Sequence, residues 1–299
     1  MDLINTKFPT PLQVLRDSVT EQAGVLLYLK RDDLIHPEVS GNKWRKLKYT
    51  LLDAVRNRMD TLLTFGGARS NHLYATAAAG RAMGIKTIGI VRGEEYPAKE
   101  TDTLSFCKSQ GMQLVGVTRT EYRRRNEAQY IQDLKKHYGN PMVIPEGGTT
   151  LRALPGVAEL VEETANQLEK TVDYYAVAAG TGGTAAGILS AGAKVLAFSA
   201  LKGGEFLRND ILDLTGKEEI GPNLQLFTHY HFGGYAKHKP ELLQFMEEFE
   251  QIHNVLLEHV YTGKMLFGLY DLIKQGYFPA GTTLVAVHTG GLQGRSHDQ

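Results

Sequence analysis

Lys43 stands in the stretch VSGNKWRKLKY (39–49), directly after Ser40-Gly41-Asn42 and at the predicted start of a helix. The first turn of a helix carries partial positive charge, so an ammonium is disfavoured there. Positive potential and burial both lower an amine's pKa, and a lysine that is neutral part of the time serves as nucleophile or base. A second stretch, AAGTGGTAAG (178–187), closes a predicted strand and opens a helix. Its glycines let backbone N–H groups close around an anion, and the helix start adds its dipole, which suits a phosphate. Read alone, a tight strand-to-helix turn explains it equally well. No Gly-Lys-Ser/Thr follows, and the next strand ends AFSALKGG without the acid that binds a ribose. A phosphate monoester therefore fits better than a nucleotide triphosphate or a dinucleotide.

GGARSNHLYA (66–75) offers another anion seat: Ser70 or Asn71 can cap a helix, and the N–H groups of Ser70, Asn71 and His72 would face a small carboxylate. Tyr261 in VYTGKM can stack on a flat ring, and Thr289 in VHTGG can hydrogen-bond a ligand edge. In FTHYHFGGYAKH, His229 and His231 would share one face of a strand and His238 follows. No third ligand of recognisable spacing accompanies them, so no metal is expected. The acids of ELVEETANQLEK and ELLQFMEEFEQIH read as solvated helix faces.

Short apolar runs alternate with amphipathic stretches, the pattern of an α/β protein with parallel sheets flanked by helices. Strands are predicted at 25–33, 61–65, 86–93, 113–117, 141–148, 174–180, 194–201 and 283–291. A helix is predicted at about 43–57, with Trp44, Leu47, Lys48, Leu51 and Val55 on one side. Gly-Gly turns at 66–67, 147–148, 180–183 and 290–291 all follow strands, where such a protein builds its site.

The 299 residues allow one large or two modest domains. Lysine plus arginine balances aspartate plus glutamate at 33 each, which gives no field favouring nucleic acid or an anionic membrane. One cysteine, Cys107, excludes an internal disulfide framework and fits a reducing compartment. Neither a signal peptide nor a membrane-spanning run is evident, so a cytoplasmic protein is expected.

A phosphate loop, a carboxylate seat, a tyrosine able to stack and a lysine on a helix start together suit pyridoxal 5'-phosphate. That lysine would hold the cofactor aldehyde as a Schiff base and move protons. SGNKWRKLKY, GGARSNHLYATAAA, VIPEGGTT, AGTGGTAAGIL, VYTGKM and HTGG, in this order from about residue 8 to 292, resemble the 1-aminocyclopropane-1-carboxylate deaminase and D-cysteine desulfhydrase family. The resemblance implies a two-domain enzyme of the tryptophan synthase β-subunit fold, commonly a homodimer. The larger domain would comprise residues 1–45 and 156–299, and the smaller, inserted one 46–155.

By that resemblance Lys43 is the Schiff-base lysine and Gly180, Thr181, Gly182, Gly183 and Thr184 form the phosphate cup. Asn71 holds the cofactor ring, and Ser70, Asn71 and His72 bind the substrate carboxylate. Tyr261 stacks on the ring, Tyr235 is a second tyrosine beside the substrate, and Thr289 lies near the cofactor. Cyclopropane-opening deaminases resemble YEGK where this chain reads Tyr261-Thr262-Gly263-Lys264. A carboxylate beside the pyridine nitrogen strengthens the ring as an electron sink, and a neutral hydroxyl does not. Thr262 therefore points to α,β-elimination from a small amino acid such as D-cysteine, with release of a 2-oxo acid, ammonia and a thiol. Ring-opening deamination is the alternative within the family. A nicotinamide-dependent oxidoreductase and a non-catalytic pyridoxal phosphate carrier are alternatives outside it.

Overall fold

A computed structural model of the chain describes residues 3–96, 98–99, 101–216 and 221–295. Among them, ten strands form two sheets. The strands are β1 (Leu12–Leu15), β2 (Leu26–Lys30), β3 (Thr61–Gly66), β4 (Lys86–Arg92), β5 (Gln113–Val117), β6 (Met142–Ile144), β7 (Tyr174–Ala179), β8 (Val195–Ser199), β9 (Leu224–Phe227) and β10 (Thr283–Val287). The larger sheet has the order β1-β2-β10-β7-β8-β9 and the smaller β5-β4-β3-β6. Every pairing is parallel except β1 with β2.

The helices are α1 (Ser18–Ala23), α2 (Asn42–Arg56), α3 (Asn71–Met83), α4 (Asp102–Ser109), α5 (Arg119–Arg123), α6 (Ala128–His137), α7 (Leu154–Leu168), α8 (Gly183–Ser190), α9 (Leu207–Thr215), α10 (Pro240–His253) and α11 (Thr262–Lys274). Helices cover both faces of the larger sheet, which explains why its central strands read as continuous apolar runs. Alternate residues go to opposite sides: Leu284 and Ala286 pack with Leu269 and Phe249 of α11 and α10, while Val285 and Val287 pack with Ile188 and Val157 of α8 and α7. Burying each leucine or valine of this kind contributes about 1.5–3 kcal/mol.

The α/β alternation in the sequence is the architecture found. Strand β2 ends at Lys30, before the predicted 33, because Asp32–Leu34 turn into a short 3-10 segment. Two strands were not expected: the antiparallel edge β1 and the opposite edge β9. On α2, Trp44, Leu47 and Leu51 are buried as expected, but Val55 is 41% exposed and Ala54 takes the core position instead. Lys48 leaves the apolar side to pair with Glu159 at 2.6 Å. Strand β9 ends at Phe227, so His229 and His231 lie in turns and share no strand face.

In a parallel sheet the loops after neighbouring strands lie side by side. Strands β2, β10 and β7 are consecutive, so the segments leading to Gly41, Thr289 and Gly180 meet at one edge. The loops after β3 and β6 of the smaller sheet close the same space, through Asn71 against Gly291 and Thr149 against Thr181.

Candidate active site

Helix α2 begins where the backbone makes its closest approach to the last strand's loop. Gly41 has φ +63°, and a Cβ there would lie 1.8 Å from the Thr289 carbonyl oxygen, so only glycine fits. Its N–H donates to the Asp32 carbonyl (2.9 Å), and the Asn42 N–H donates to the Thr289 carbonyl (3.3 Å). Lys43 is thereby held as the second residue of α2, half-buried. The same helix is tied to the segment after β2 and to α7 by Arg45, 1% exposed, which reaches Asp32 at 2.6 and 2.7 Å and Glu163 at 2.9 Å.

Burial pushes the Lys43 amine down to about 8, while the charge of Glu146 pulls it part of the way back. Desolvation is thus the dominant influence on this amine. The smaller-sheet loop 145–149 supplies Glu146, whose carboxylate is ion-paired with Arg125 at 2.7 Å.

The glycine loop after β7 closes on the start of α8. Asn42 Nδ2 donates to Thr184 Oγ1 at 2.9 Å, linking the lysine's helix to this loop. Lys46 Nζ reaches the same place, with Thr149 Oγ1 at 3.0 Å, the Gly147 carbonyl at 3.4 Å and Thr181 Oγ1 at 3.5 Å. Thr149 and Thr181 share a hydrogen bond of 2.6 Å. A Cβ on Gly183 would stand 2.7 Å from Thr149 Oγ1 and 2.9 Å from Lys46 Nζ. Lys46 is 3% exposed and, among the described residues, has no carboxylate partner. Burial, and then the neighbouring Lys43, holds its amine well below the ordinary lysine range. A buried amine met only by neutral oxygens beside a helix N-terminus is suited to an anion.

Tyr261 lies across Gly180: a Cβ on that glycine would be 3.0 Å from Tyr261 Cε1. Tyr235 stands edge-on to Tyr261 with ring centroids 6.0 Å apart. Burial raises the Tyr261 hydroxyl well above its usual range, so it stays protonated. Thr262 is fully buried and faces Glu258, itself wholly buried. The Glu258 carboxylate accepts from the Val260 N–H (2.6 Å), the Tyr261 N–H (3.0 Å), the Thr262 N–H (2.6 Å) and the Thr262 hydroxyl (3.1 Å). Burial raises the Glu258 pKa and these donors oppose the rise.

At the other wall, Ser70 caps α3 by accepting from the His72 and Leu73 N–H groups, both at 3.3 Å. The His72 N–H is therefore engaged within the cap. Its ring is 2% exposed and turns inward, with Nε2 2.7 Å from Thr64 Oγ1, while Nδ1 has no hydrogen-bond partner. Burial, then Lys43 and Lys46, keeps this imidazole neutral by driving its pKa well down. Asn71 adjoins the last loop: its Oδ1 accepts from Gln293 Nε2 at 3.1 Å, and a Cβ on Gly291 would meet its Nδ2 at 2.4 Å.

The two sheets thus bring Lys43, the 180–184 loop, Tyr261, Tyr235, Asn71 and Thr289 around one space. Thr262 stands behind Tyr261 on Glu258, and the His72 ring lies between Thr64 of β3 and the Gly148 turn beside Lys46. Four residues escaped the sequence reading: Lys46, Glu146, Thr149 and Glu258. Lys46 carried a usable signal, since the i, i+3 spacing from Lys43 puts both amines on one helix face. Thr149 follows a Gly-Gly turn after a strand, the same setting that marked the 180–184 loop.

The family model described as pyridoxal-phosphate dependent enzyme matches residues 4–290. The chain belongs to this family. A Pyrococcus horikoshii relative, provisionally named 1-aminocyclopropane-1-carboxylate deaminase, is 33% identical over 96% of this chain and 91% of its own. An Arabidopsis thaliana relative named bifunctional D-cysteine desulfhydrase/1-aminocyclopropane-1-carboxylate deaminase, mitochondrial, is 31% identical over 91% of this chain and 73% of its own. A crystal structure of an ACC deaminase homologue superimposes with a TM-score of 0.81 at 30% identity, covering 98% of this chain and 92% of that one. Membership decides the cofactor of this enzyme: pyridoxal phosphate, and not a nicotinamide dinucleotide. The buried Lys46 amine, met only by neutral oxygens beside Gly183 at the start of α8, fits the phosphate of that cofactor. Among the described residues, no helix is long and apolar enough to cross a membrane.

Proposed function

We propose that this pyridoxal phosphate enzyme performs α,β-elimination on a small amino acid, of which D-cysteine is the type, giving a 2-oxo acid, ammonia and hydrogen sulfide. The observation that carries the reading is Thr262. Its hydroxyl lies 3.1 Å from the Glu258 carboxylate, and that charge is shared among backbone N–H donors. Position 262 therefore presents a neutral oxygen where the ring-opening deaminases resemble a glutamate, which favours departure of a good leaving group over opening of a strained ring.

In this reading Lys46, Thr149, Thr181, Thr184 and the N–H groups of Gly182 and Gly183 would hold the cofactor phosphate, with Tyr261, Asn71 and Thr289 available to its ring. When bound, pyridoxal phosphate supplies an aldehyde that takes the amino group and a ring that accepts the electron pair left at the α-carbon. Lys43 Nζ would be the amine that holds the aldehyde and, when free, the base that takes the α-proton. An amine near 8 is basic enough to accept a proton and is neutral often enough to be available at neutral pH. Ser70 and the Asn71 N–H receive the substrate carboxylate at the start of α3, where the helix dipole favours an anion. Neutral His72 supports that wall from behind without adding charge. Tyr235 and Tyr261, both held protonated, close the substrate side and can each donate to a departing group.

The domain division belongs to the same reading. Strands β3 to β6, all within 46–155, make up the smaller sheet, which supports the inserted domain; α2 runs across the 45/46 limit. We also take the enzyme to be a cytoplasmic homodimer, to be tested by localisation and by sedimentation. The test of function is a panel of D- and L-amino acids with 1-aminocyclopropane-1-carboxylate, assayed for 2-oxo acid and sulfide. Faster release of 2-oxobutanoate from the cyclopropane substrate than of pyruvate from D-cysteine would reverse the assignment. A protein that binds the cofactor and turns over none of them would make it a carrier.

A further inference from the structure

Lys264 is the third residue of α11, where a helix disfavours a cation, and is 1% exposed. Its neighbours along the helix, Met265, Leu266 and Leu269, are core residues, and an apolar side chain would fill the same position without desolvating an amine. Its Nζ donates to the Gly234 carbonyl at 2.7 Å. That carbonyl belongs to an irregular turn: Phe232, Gly233, Gly234 and Ala236 all have positive φ, at +52°, +100°, +120° and +54°. Such a run is held only if the surroundings over-determine it. Two ties from α11 do so, namely Phe232 edge-on to Phe267 at 4.9 Å and the Lys264 hydrogen bond. Between these ties stands Tyr235, 44% exposed, whose ring meets Tyr261.

We propose that Lys264 is a positioning residue: by holding the Gly234 carbonyl it fixes the turn that presents Tyr235, and so sets how the substrate side of the site closes. This rests on the reading of Tyr235 as a substrate-side group, but not on which amino acid is the substrate. Burial pushes the Lys264 amine down to about 8, with Glu258 drawing it back, so the tie is a weakly held proton donor and not a full ion pair.

The test is a double-substitution cycle on the holoenzyme with the best substrate of the panel. Lys264→Met is expected to lower kcat/KM tenfold or more, mainly through KM, in the native background and less than twofold in a Tyr235→Ala background. The affinity for pyridoxal phosphate should stay within twofold throughout. Equal losses in both backgrounds, or a parallel loss of cofactor affinity, would overturn the proposal. Lys264→Leu, which also lacks a donor, replaces Lys264→Met should the latter not fold, and Lys264→Gln, which keeps a donor, should recover most of the lost kcat/KM. Tryptic cleavage after Lys237 supplies a readout that needs no turnover. It should accelerate at least tenfold in the Lys264 variant, and an unchanged rate overturns the proposal even if the elimination reading has failed.

Discussion

Lys46→Met separates the two demands placed on the buried amine of the glycine cradle. In the cofactor-free chain, Lys46 has one good hydrogen bond, 3.0 Å to Thr149, and two long ones of 3.4 and 3.5 Å. Losing a neutral bond of this kind costs about 0.5–1.5 kcal/mol. Against it stands the cost of keeping an amine out of water beside Lys43, which is what drives its pKa down. Methionine has similar length and no charge, so the two effects offset and the cofactor-free variant should unfold within about 1 kcal/mol of the parent. With a phosphate dianion present the balance changes. One charge-assisted hydrogen bond contributes about 1.5–3 kcal/mol. At about 1.36 kcal/mol per tenfold, the Kd for pyridoxal phosphate should rise roughly 10- to 150-fold.

Trp44, the only tryptophan, is 1% exposed and adjoins Lys43, so its fluorescence can report binding, and urea melts report stability. Pyridoxal, which lacks the phosphate, is the control. Its affinity should change less than threefold in the variant. A similar loss for both ligands would mean that Lys46 serves the ring or the fold and not the phosphate. No loss for either would refute the argument from the unpaired amine.

The Lys43 amine near 8 predicts the pH profile of covalent capture of pyridoxal phosphate by the cofactor-free protein. Only the neutral amine attacks, so the rate should rise about tenfold per pH unit below 8 and level off above it, whereas an ordinary lysine would keep gaining to beyond pH 10. Glu146→Gln removes the charge that holds this pKa up, so the plateau should begin at lower pH; a shift to higher pH would refute the assigned sign. Arg45→Met should destabilise the chain by about 3–5 kcal/mol, because it leaves Asp32 buried without its cation. Urea denaturation checks this, and a loss under about 1 kcal/mol would show that the Asp32–Arg45–Glu163 cluster does not anchor α2.

Legibility followed range. Strands such as β5 and β7 were readable because a run of apolar residues between turn signals is a local pattern. Edge strands β1 and β9 were not, since each is only four residues long and buries just one of them, which leaves no clear apolar period. In α2 the helical period was visible, but whether Val55 or Ala54 enters the core depends on what packs against the last turn. The same distinction runs through the site. Lys43 and the 180–184 loop announced themselves through local oddities, a cation at a helix start and glycines at a strand end. His72 did not: its N–H belongs to the Ser70 cap and its ring to Thr64, a residue eight positions earlier on β3.

Glu258 illustrates what remained hidden. As a residue in sequence it is an ordinary acid near a helix start. Its meaning comes from total burial together with four donors drawn from Val260, Tyr261 and Thr262. A carboxylate so placed fixes the backbone of Tyr261 and Thr262, and a glutamate at 262 would stand directly beside it. Two carboxylates there would repel in a dry pocket, so Thr262→Glu is expected to leave one of the pair protonated unless Glu258 is neutralised as well. The chemistry at position 262 is therefore set by a pair of residues, one read from the motif and the other only from the folded chain.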